Sequence, residues 1–147
     1  MSIEDDVALL ERVPTLRLLG MTPLRMLAIG SEQRDFPRGD VLFKAGDDAD
    51  AGFIVQRGAF RIEGGAGAEM VAGPGALIGE LALIATMKRP STATALEHSS
   101  VIRIARSLFQ RVLESDPAAA RRLRDEFANR TSQIASDILM AGSKLNI

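Results

Sequence analysis

The sequence contains no cysteine, tryptophan or tyrosine, and its single histidine is His98. Without cysteine the chain can form no disulfide and no iron–sulfur cluster, and it has no thiol nucleophile. A metal-dependent enzyme built on a small β barrel needs several histidine and acidic ligands, and one histidine argues against such a centre. We therefore predict neither catalytic residues nor a metal site.

Strong net charge and long apolar runs are also absent. The 147 residues carry a net charge of −1, which predicts no nucleic-acid partner, and their number fits one domain, residues 1–147. The start of the chain, MSIEDDVALLERV, is acidic and lacks the long apolar stretch of a signal peptide or membrane anchor. The sequence thus predicts a cytoplasmic protein that does not associate with membranes.

The hydrophobic spacing changes twice and divides the chain into three segments. Residues 1–31 have the spacing of short helices joined by turns. Residues 33–105 contain brief β-like runs separated by glycine turns, which predicts a compact β roll or barrel. The expected strands are VLFKA, GFIVQ, AFRIE, EMVA, TATAL and SVIRI. Residues 106–140 return to helical spacing, with Ser107 as the expected N-cap of one helix and Pro117 at the start of the next.

The last predicted helix has a narrow apolar stripe. Its members are Leu123, Phe127, Ile134, Ile138 and Ala141. Such a stripe is typical of packing on the β roll, and it is equally typical of a dimer seam or of a lid over a ligand. The dimer interpretation predicts that the chain associates with itself, or with an effector protein, through residues 123–145.

The stretch GALIGELALIATMKRPSTATA places a glycine at the head of a short apolar helix pattern. Gly79 lets the backbone approach a ligand closely, because it carries no side chain. The helix that follows is expected to offer unpaired N–H groups from Leu81 and Ala82 to an anion. This arrangement favours a ligand with an anionic group.

Charged and polar side chains flank the same helix. An ionised Glu80 only accepts hydrogen bonds, so it suits a sugar hydroxyl, and Arg89, nine residues later, offers a planar cation for phosphate oxygens. Ser91 and Thr92 add hydroxyl groups to the site or serve as ordinary strand residues. Stabilisation of the helix N-terminus is the alternative role of Glu80, and a solvated loop is the alternative for Arg89 and its neighbour Lys88. Together the groups point to a sugar phosphate.

The order of elements and two motifs resemble the cyclic nucleotide-binding domain of catabolite-activator-like regulators, cyclic-nucleotide-dependent kinases and gated channels. The segment FPRGDVLFKAGDDADAGFIVQRGAFRI resembles the opening strands of that family, and IGELALI resembles its phosphate-binding cassette. The resemblance covers nearly the whole chain. It implies a mainly β fold: a jelly-roll-like β roll with N-terminal helices, a short cassette helix and two C-terminal helices.

The resemblance also implies a ligand and its contacts. Cyclic AMP or cyclic GMP would bind without being altered and without a further cofactor. Gly79 and Glu80 would bind the ribose 2′-hydroxyl, while the Ala82 N–H and Arg89 would bind the cyclic phosphate. The complete predicted site is Ile78, Gly79, Glu80, Leu81, Ala82, Arg89, Ser91 and Thr92.

Pro90 departs from the family pattern. Ligand-binding members usually have serine, threonine or alanine there, with a backbone N–H on the phosphate, and proline has no N–H. An alternative is therefore a degenerate domain that acts only as a protein-interaction module. A small β-barrel enzyme is a third and less favoured hypothesis.

The methionines, the single histidine and the aromatic residues also carry expectations. Met70, Met87 and Met140 are isolated and are predicted to fill gaps in the core. His98 is predicted to face solvent in a turn. Since tyrosine and tryptophan are absent, Phe127 or an aliphatic residue of the last helix would have to cover a purine ring.

Overall fold

The computed structural model describes residues 2–64 and 67–129 of the chain. Three short helices come first: α1 (Ile3–Glu11), α2 (Pro14–Arg17) and α3 (Met21–Gly30). Helix α1 begins with a capping box, in which the Ser2 hydroxyl accepts from the Asp5 N–H while the Asp5 carboxylate accepts from the Ser2 N–H. These helices form a layer that packs on one face of the β structure.

Ten strands follow within the described residues. They are β1 (Glu32–Phe36), β2 (Val41–Phe43), β3 (Asp48–Ala49), β4 (Ala51–Arg57), β5 (Phe60–Gly64), β6 (Glu69–Ala72), β7 (Leu77–Ile78), β8 (Met87–Lys88), β9 (Ser91–Ala95) and β10 (Ser99–Ala105). The first sheet has the order β1-β10-β4-β7, the second has the order β2-β9-β5-β6, and β3 pairs with β8. All pairings are antiparallel, so the strands form the two faces of a roll.

The central strands of the first sheet, β4 and β10, are buried on both faces, and this explains their apolar runs. One face meets the second sheet through Phe53, Val55 and Val101. The other face meets the helices through Ile54, Ile102 and Ile104. Successive side chains of a strand alternate between faces, so each strand contributes to both cores.

The last two helices of the described residues are α4 (Arg106–Ser115) and α5 (residues 117–129). Helix α4 begins at Arg106 and has Ala105 as its N-cap, so the expected Ser107 cap is wrong. Helix α5 is fixed to the N-terminal layer by Arg122, whose guanidinium donates to the carbonyl oxygens of Leu18 and Leu19 at 2.7 and 3.0 Å. The N-terminal helices and the last described helix thus belong to one helical layer.

The predicted fold class, a mainly β roll with flanking helices, is confirmed. Four strands were not predicted. Strand β1 is EQRDF, whose side chains are almost all exposed, so it has no apolar alternation, and β3, β7 and β8 contain two residues each. The organisation of residues 1–147 as a single domain stays a prediction.

The apolar stripe of the last helix is only partly within the described residues. Leu123 is buried in the helical core, and Phe127 packs against that core. Ile134, Ile138 and Ala141 lie outside the described residues, as does Met140. Within the described part of the chain, no helix is long and apolar enough to cross a bilayer.

Candidate functional site

A pocket of about 360 Å³ lies between the second sheet and the segment that follows β7. Its walls are mostly apolar. The lining residues are Phe43, Ile62, Met70, Val71, Ala72, Gly73, Ala76, Leu77, Ile78, Gly79, Glu80, Leu81, Ala82, Met87, Arg89, Pro90 and Ser91. A mostly apolar pocket with a few convergent polar groups is the usual form of a small-molecule site.

One wall is the cassette helix, a single 3₁₀ turn over Glu80–Leu83. Gly79 precedes it in the left-handed region, with φ +79° and ψ +39°, a conformation that favours glycine. The Ala82 N–H donates to the Gly79 carbonyl at 3.1 Å, so the expectation that this N–H is unpaired is wrong. In a 3₁₀ turn the N–H groups that precede the first bonded one, here that of Leu81, lack an acceptor within the helix.

Arg89 also lines the pocket and is only 5% exposed. Its Nη2 atom donates to the Ala51 carbonyl at 2.8 Å. The guanidinium carbon lies 4.2 Å from the centre of the Phe43 ring and 5.4 Å from that of Phe53, within the range of cation–π attraction. The alternative of a solvated loop is therefore wrong for Arg89.

Lys88, the neighbouring cation, has a different environment. It is exposed on β8 and forms an ion pair with Asp48 on β3. The hydrogen bond from Lys88 lowers the pKa of the Asp48 carboxyl. The two adjacent cations of the KRP motif thus divide into one on the surface and one in the pocket.

The charge of Arg89 is poorly compensated. No carboxylate of the described residues forms a salt bridge with it, and its Nε atom is buried without a hydrogen-bond partner among those residues. Burial lowers the pKa of the guanidinium, while the more distant carboxylates of Asp50 and Asp47 oppose that shift. A buried cation without a paired anion is costly, and an anionic ligand would remove much of this cost.

Gly79 and Arg89 depend on each other for space. A Cβ atom placed on Gly79 would lie 2.6 Å from the Nη1 atom of Arg89 and 3.4 Å from the Ala51 carbonyl oxygen. Atoms at 2.6 Å would overlap, so any side chain at this position would displace the guanidinium, and the φ of +79° would strain it as well. The cassette and the arginine, ten residues apart in sequence, form one site.

The other predicted residues fall into two groups. Ile78, Glu80, Leu81, Ala82 and Ser91 line the pocket together with Gly79 and Arg89. The structure does not place Thr92 among the lining residues. The Thr92 hydroxyl accepts from the Ala45 N–H at 2.9 Å and fixes the turn between β2 and β3 to β9.

Several lining residues were not predicted. Met70 is 62% exposed at the pocket wall, so its expected role as a core filler is wrong. It lies on β6, where Glu69, Met70 and Val71 are all exposed and only Ala72 is buried, so no apolar alternation in the sequence marked it as a pocket residue. His98 is exposed, as expected. Phe127 packs on the helical core and is not among the residues that line the pocket.

A β roll that holds a buried cation beside a short cassette helix belongs to the class of ligand-binding regulatory domains. A family model described as the cyclic nucleotide-binding domain matches residues 33–116. The chain belongs to the cyclic nucleotide-binding domain family.

Individual relatives are similar over most of this chain. A cyclic nucleotide-binding-like protein from Brucella abortus is 37% identical and has a TM-score of 0.67, and the match covers 75% of this chain and 98% of that one. The N-terminal domain of a transcriptional regulator from Streptomyces coelicolor is 28% identical and has a TM-score of 0.80, with 88% and 94% covered.

One curated relative is much longer than this chain. An uncharacterised NTE family protein from Mycobacterium tuberculosis is 38% identical over 74% of this chain and 19% of its own length. The chain therefore spans about a fifth of the length of that protein.

Proposed function

We propose that the domain binds a cyclic nucleotide, cyclic AMP or cyclic GMP, as a regulatory signal and does not alter it chemically. The observation that carries this proposal is the buried guanidinium of Arg89, which lies beside Gly79 and has no carboxylate partner among the described residues. A cyclic phosphodiester brings one negative charge and several oxygen acceptors. It would pair with the guanidinium in a region of low dielectric constant, where such pairing is strong.

The rest of the pocket matches the remaining parts of such a ligand. Gly79 and Glu80 take the ribose 2′-hydroxyl, because an ionised carboxylate accepts from a hydroxyl. Ile78, Leu81 and Ala82 form the wall beside the sugar phosphate, and Ser91 adds a hydroxyl at the same end. Met70 and Val71 on β6 supply apolar surface for the purine. Thr92 acts indirectly, through the turn that it fixes.

The ribose contact gives the first prediction. Glu80→Gln is expected to weaken cyclic AMP binding by roughly fivefold to tenfold, because it replaces a charge-assisted hydrogen bond by a neutral one. 2′-Deoxy cyclic AMP should bind the original protein more weakly, and its penalty should be smaller in the Glu80 variant, since only the neutral hydrogen bond is left for the deoxy ligand to lose. Calorimetric titration measures all four affinities.

The matched control for this prediction is Glu97→Gln, which changes an exposed glutamate in the turn before β10. This variant should bind both nucleotides as the original protein does. Equal 2′-deoxy penalties in the original protein and in the Glu80 variant would show that Glu80 does not hold the ribose.

Pro90 gives the second prediction and tests the alternative function. Pro90→Ala is expected to tighten cyclic AMP binding by about 1 kcal/mol, roughly fivefold, because it restores one N–H donor next to Arg89. Pro37→Ala, in a turn before β2, is the control and should leave the affinity unchanged. If the original protein and the Pro90 variant both fail to bind cyclic nucleotides up to millimolar concentration, the domain is better described as a protein-interaction module.

Partners and location belong to the same proposal. A homodimer or an effector contact through the C-terminal helix would use the apolar residues Ile134 and Ile138, which lie outside the described residues, since Leu123 is already buried in the core. The cytoplasmic location expected from the sequence stays a prediction.

A further inference from the structure

Arg106, the first residue of α4, contacts the cassette but is not among the residues that line the pocket. Its Nη1 atom donates to three carbonyl oxygens: those of Ala49 at 2.8 Å, Ala85 at 3.0 Å and Ala82 at 3.2 Å. Its backbone N–H donates to the Asp50 carbonyl at 2.8 Å. One residue thus connects α4 with the strand segment at residues 49–51 and with the end of the cassette.

Two of the carbonyls that Arg106 binds lie at the C-terminal end of the cassette: that of Ala82 is in its last turn, and that of Ala85 follows the C-cap Ile84. The last carbonyl groups of a helix accept no hydrogen bond from within the helix. A cationic side chain beside them can donate the missing hydrogen bonds. The cassette helix has only four residues, so few internal hydrogen bonds fix its orientation. External bonds from Arg106 at its C-terminal end therefore determine how its N-terminal end, with Gly79 and Glu80, faces the pocket.

Arg106 also fixes the acceptor that holds Arg89. The carbonyls of Ala49 and Asp50 bind Arg106, and the next carbonyl in the chain, that of Ala51, binds the Nη2 atom of Arg89. Two arginines therefore hold consecutive residues of the same segment. A displacement of Arg106 would shift both walls of the anion site.

We propose that Arg106 is a positioning residue of the ligand pocket, which orients the cassette and the acceptor of Arg89 without contacting the ligand itself. This inference rests on the proposed function for its ligand. Arg106 does not line the pocket, so any effect of replacing it on affinity must pass through the residues it holds. Because Arg106 is part of α4, the affinity for the ligand would also depend on how α4 packs against the roll.

The test compares three variants of the full chain. Arg106→Met removes all side-chain N–H donors at similar length, and Arg106→Lys restores a cation with three N–H donors. Arg111→Met is the control and removes an exposed arginine from the same helix. The measurements are calorimetric affinities for cyclic AMP and 2′-deoxy cyclic AMP, and amide hydrogen exchange without nucleotide.

We expect Arg106→Met to weaken cyclic AMP binding about tenfold and to reduce the 2′-deoxy penalty, because the ribose end of the cassette is no longer held in place. The amides of Ala82, Ile84 and Ala85, which bond to Gly79 and Leu81, should exchange faster without ligand. Arg106→Lys should bind within a factor of about three of the original protein, and Arg111→Met should match it.

A folded Arg106→Met variant with unchanged affinity and unchanged exchange at these amides would overturn the proposal. If that variant does not fold, the same comparison is made with Arg106→Gln, which keeps N–H donors. The exchange experiment contains no nucleotide, so it judges the positioning role even if the original protein binds none. Lack of binding by the original protein would instead overturn the proposed function.

Discussion

Replacing Arg89 with methionine is expected to weaken cyclic AMP binding by at least about 100-fold, since leaving a buried charge without its partner costs about 3–5 kcal/mol. The melting temperature of the ligand-free protein should stay the same or rise. Methionine has a similar length and packs well against the rings of Phe43 and Phe53, and the change removes a buried cation whose Nε atom has no partner among the described residues. Calorimetry and thermal melts measure the two effects separately.

Lys88→Met is the matched control for Arg89. It removes an adjacent cation from the same motif, but Lys88 is exposed and pairs with Asp48 on the surface. Surface ion pairs contribute little, so both affinity and melting temperature should change little. If the Arg89 variant binds cyclic AMP as well as the Lys88 variant does, Arg89 is not the phosphate ligand.

Replacing Gly79 with alanine is expected to reduce both stability and binding. The φ angle of +79° is unfavourable for alanine, and the new methyl group would lie 2.6 Å from the Nη1 atom of Arg89. The backbone effect alone costs about 1–3 kcal/mol in the free energy of unfolding. Displacement of Arg89 should weaken cyclic AMP binding by a further tenfold or more, on the order of one lost charge-assisted hydrogen bond. Chemical denaturation and calorimetry give the two values.

Gly39→Ala separates the two causes. Gly39 also has a positive φ, +91°, but a Cβ atom there would meet nothing within 4 Å among the described residues. This control should lose stability to a similar degree and keep its affinity. A Gly79 variant that loses stability but binds normally would mean that the contact with Arg89 does not matter for the ligand.

Much of the fold was predictable because its elements follow simple patterns. Glycine turns at Gly46 and Gly58 separate short apolar strands, and helical spacing begins again near Arg106. Strand β1 could not be predicted because its residues are polar and exposed. It is a strand because it pairs with β10, and that pairing depends on contacts distant in sequence.

The candidate site was also predictable only in part, because some of its contacts join residues distant in sequence. The motif predicted that Gly79, Glu80 and Arg89 share a pocket, because their types and spacing match the chemistry of a sugar phosphate. The sequence could not show that Arg89 packs on Phe43, or that Arg106 binds the carbonyl of Ala82 in the cassette. These contacts join residues far apart in the chain, and no local spacing records them.

Calorimetric titration of the full chain with cyclic AMP and cyclic GMP tests the central claim most directly. We expect saturable binding of at least one of them at one site per chain, with an affinity that the Arg89→Met variant loses. The absence of measurable binding of either nucleotide up to about 1 mM, a limit that corresponds to roughly −4 kcal/mol, would contradict it.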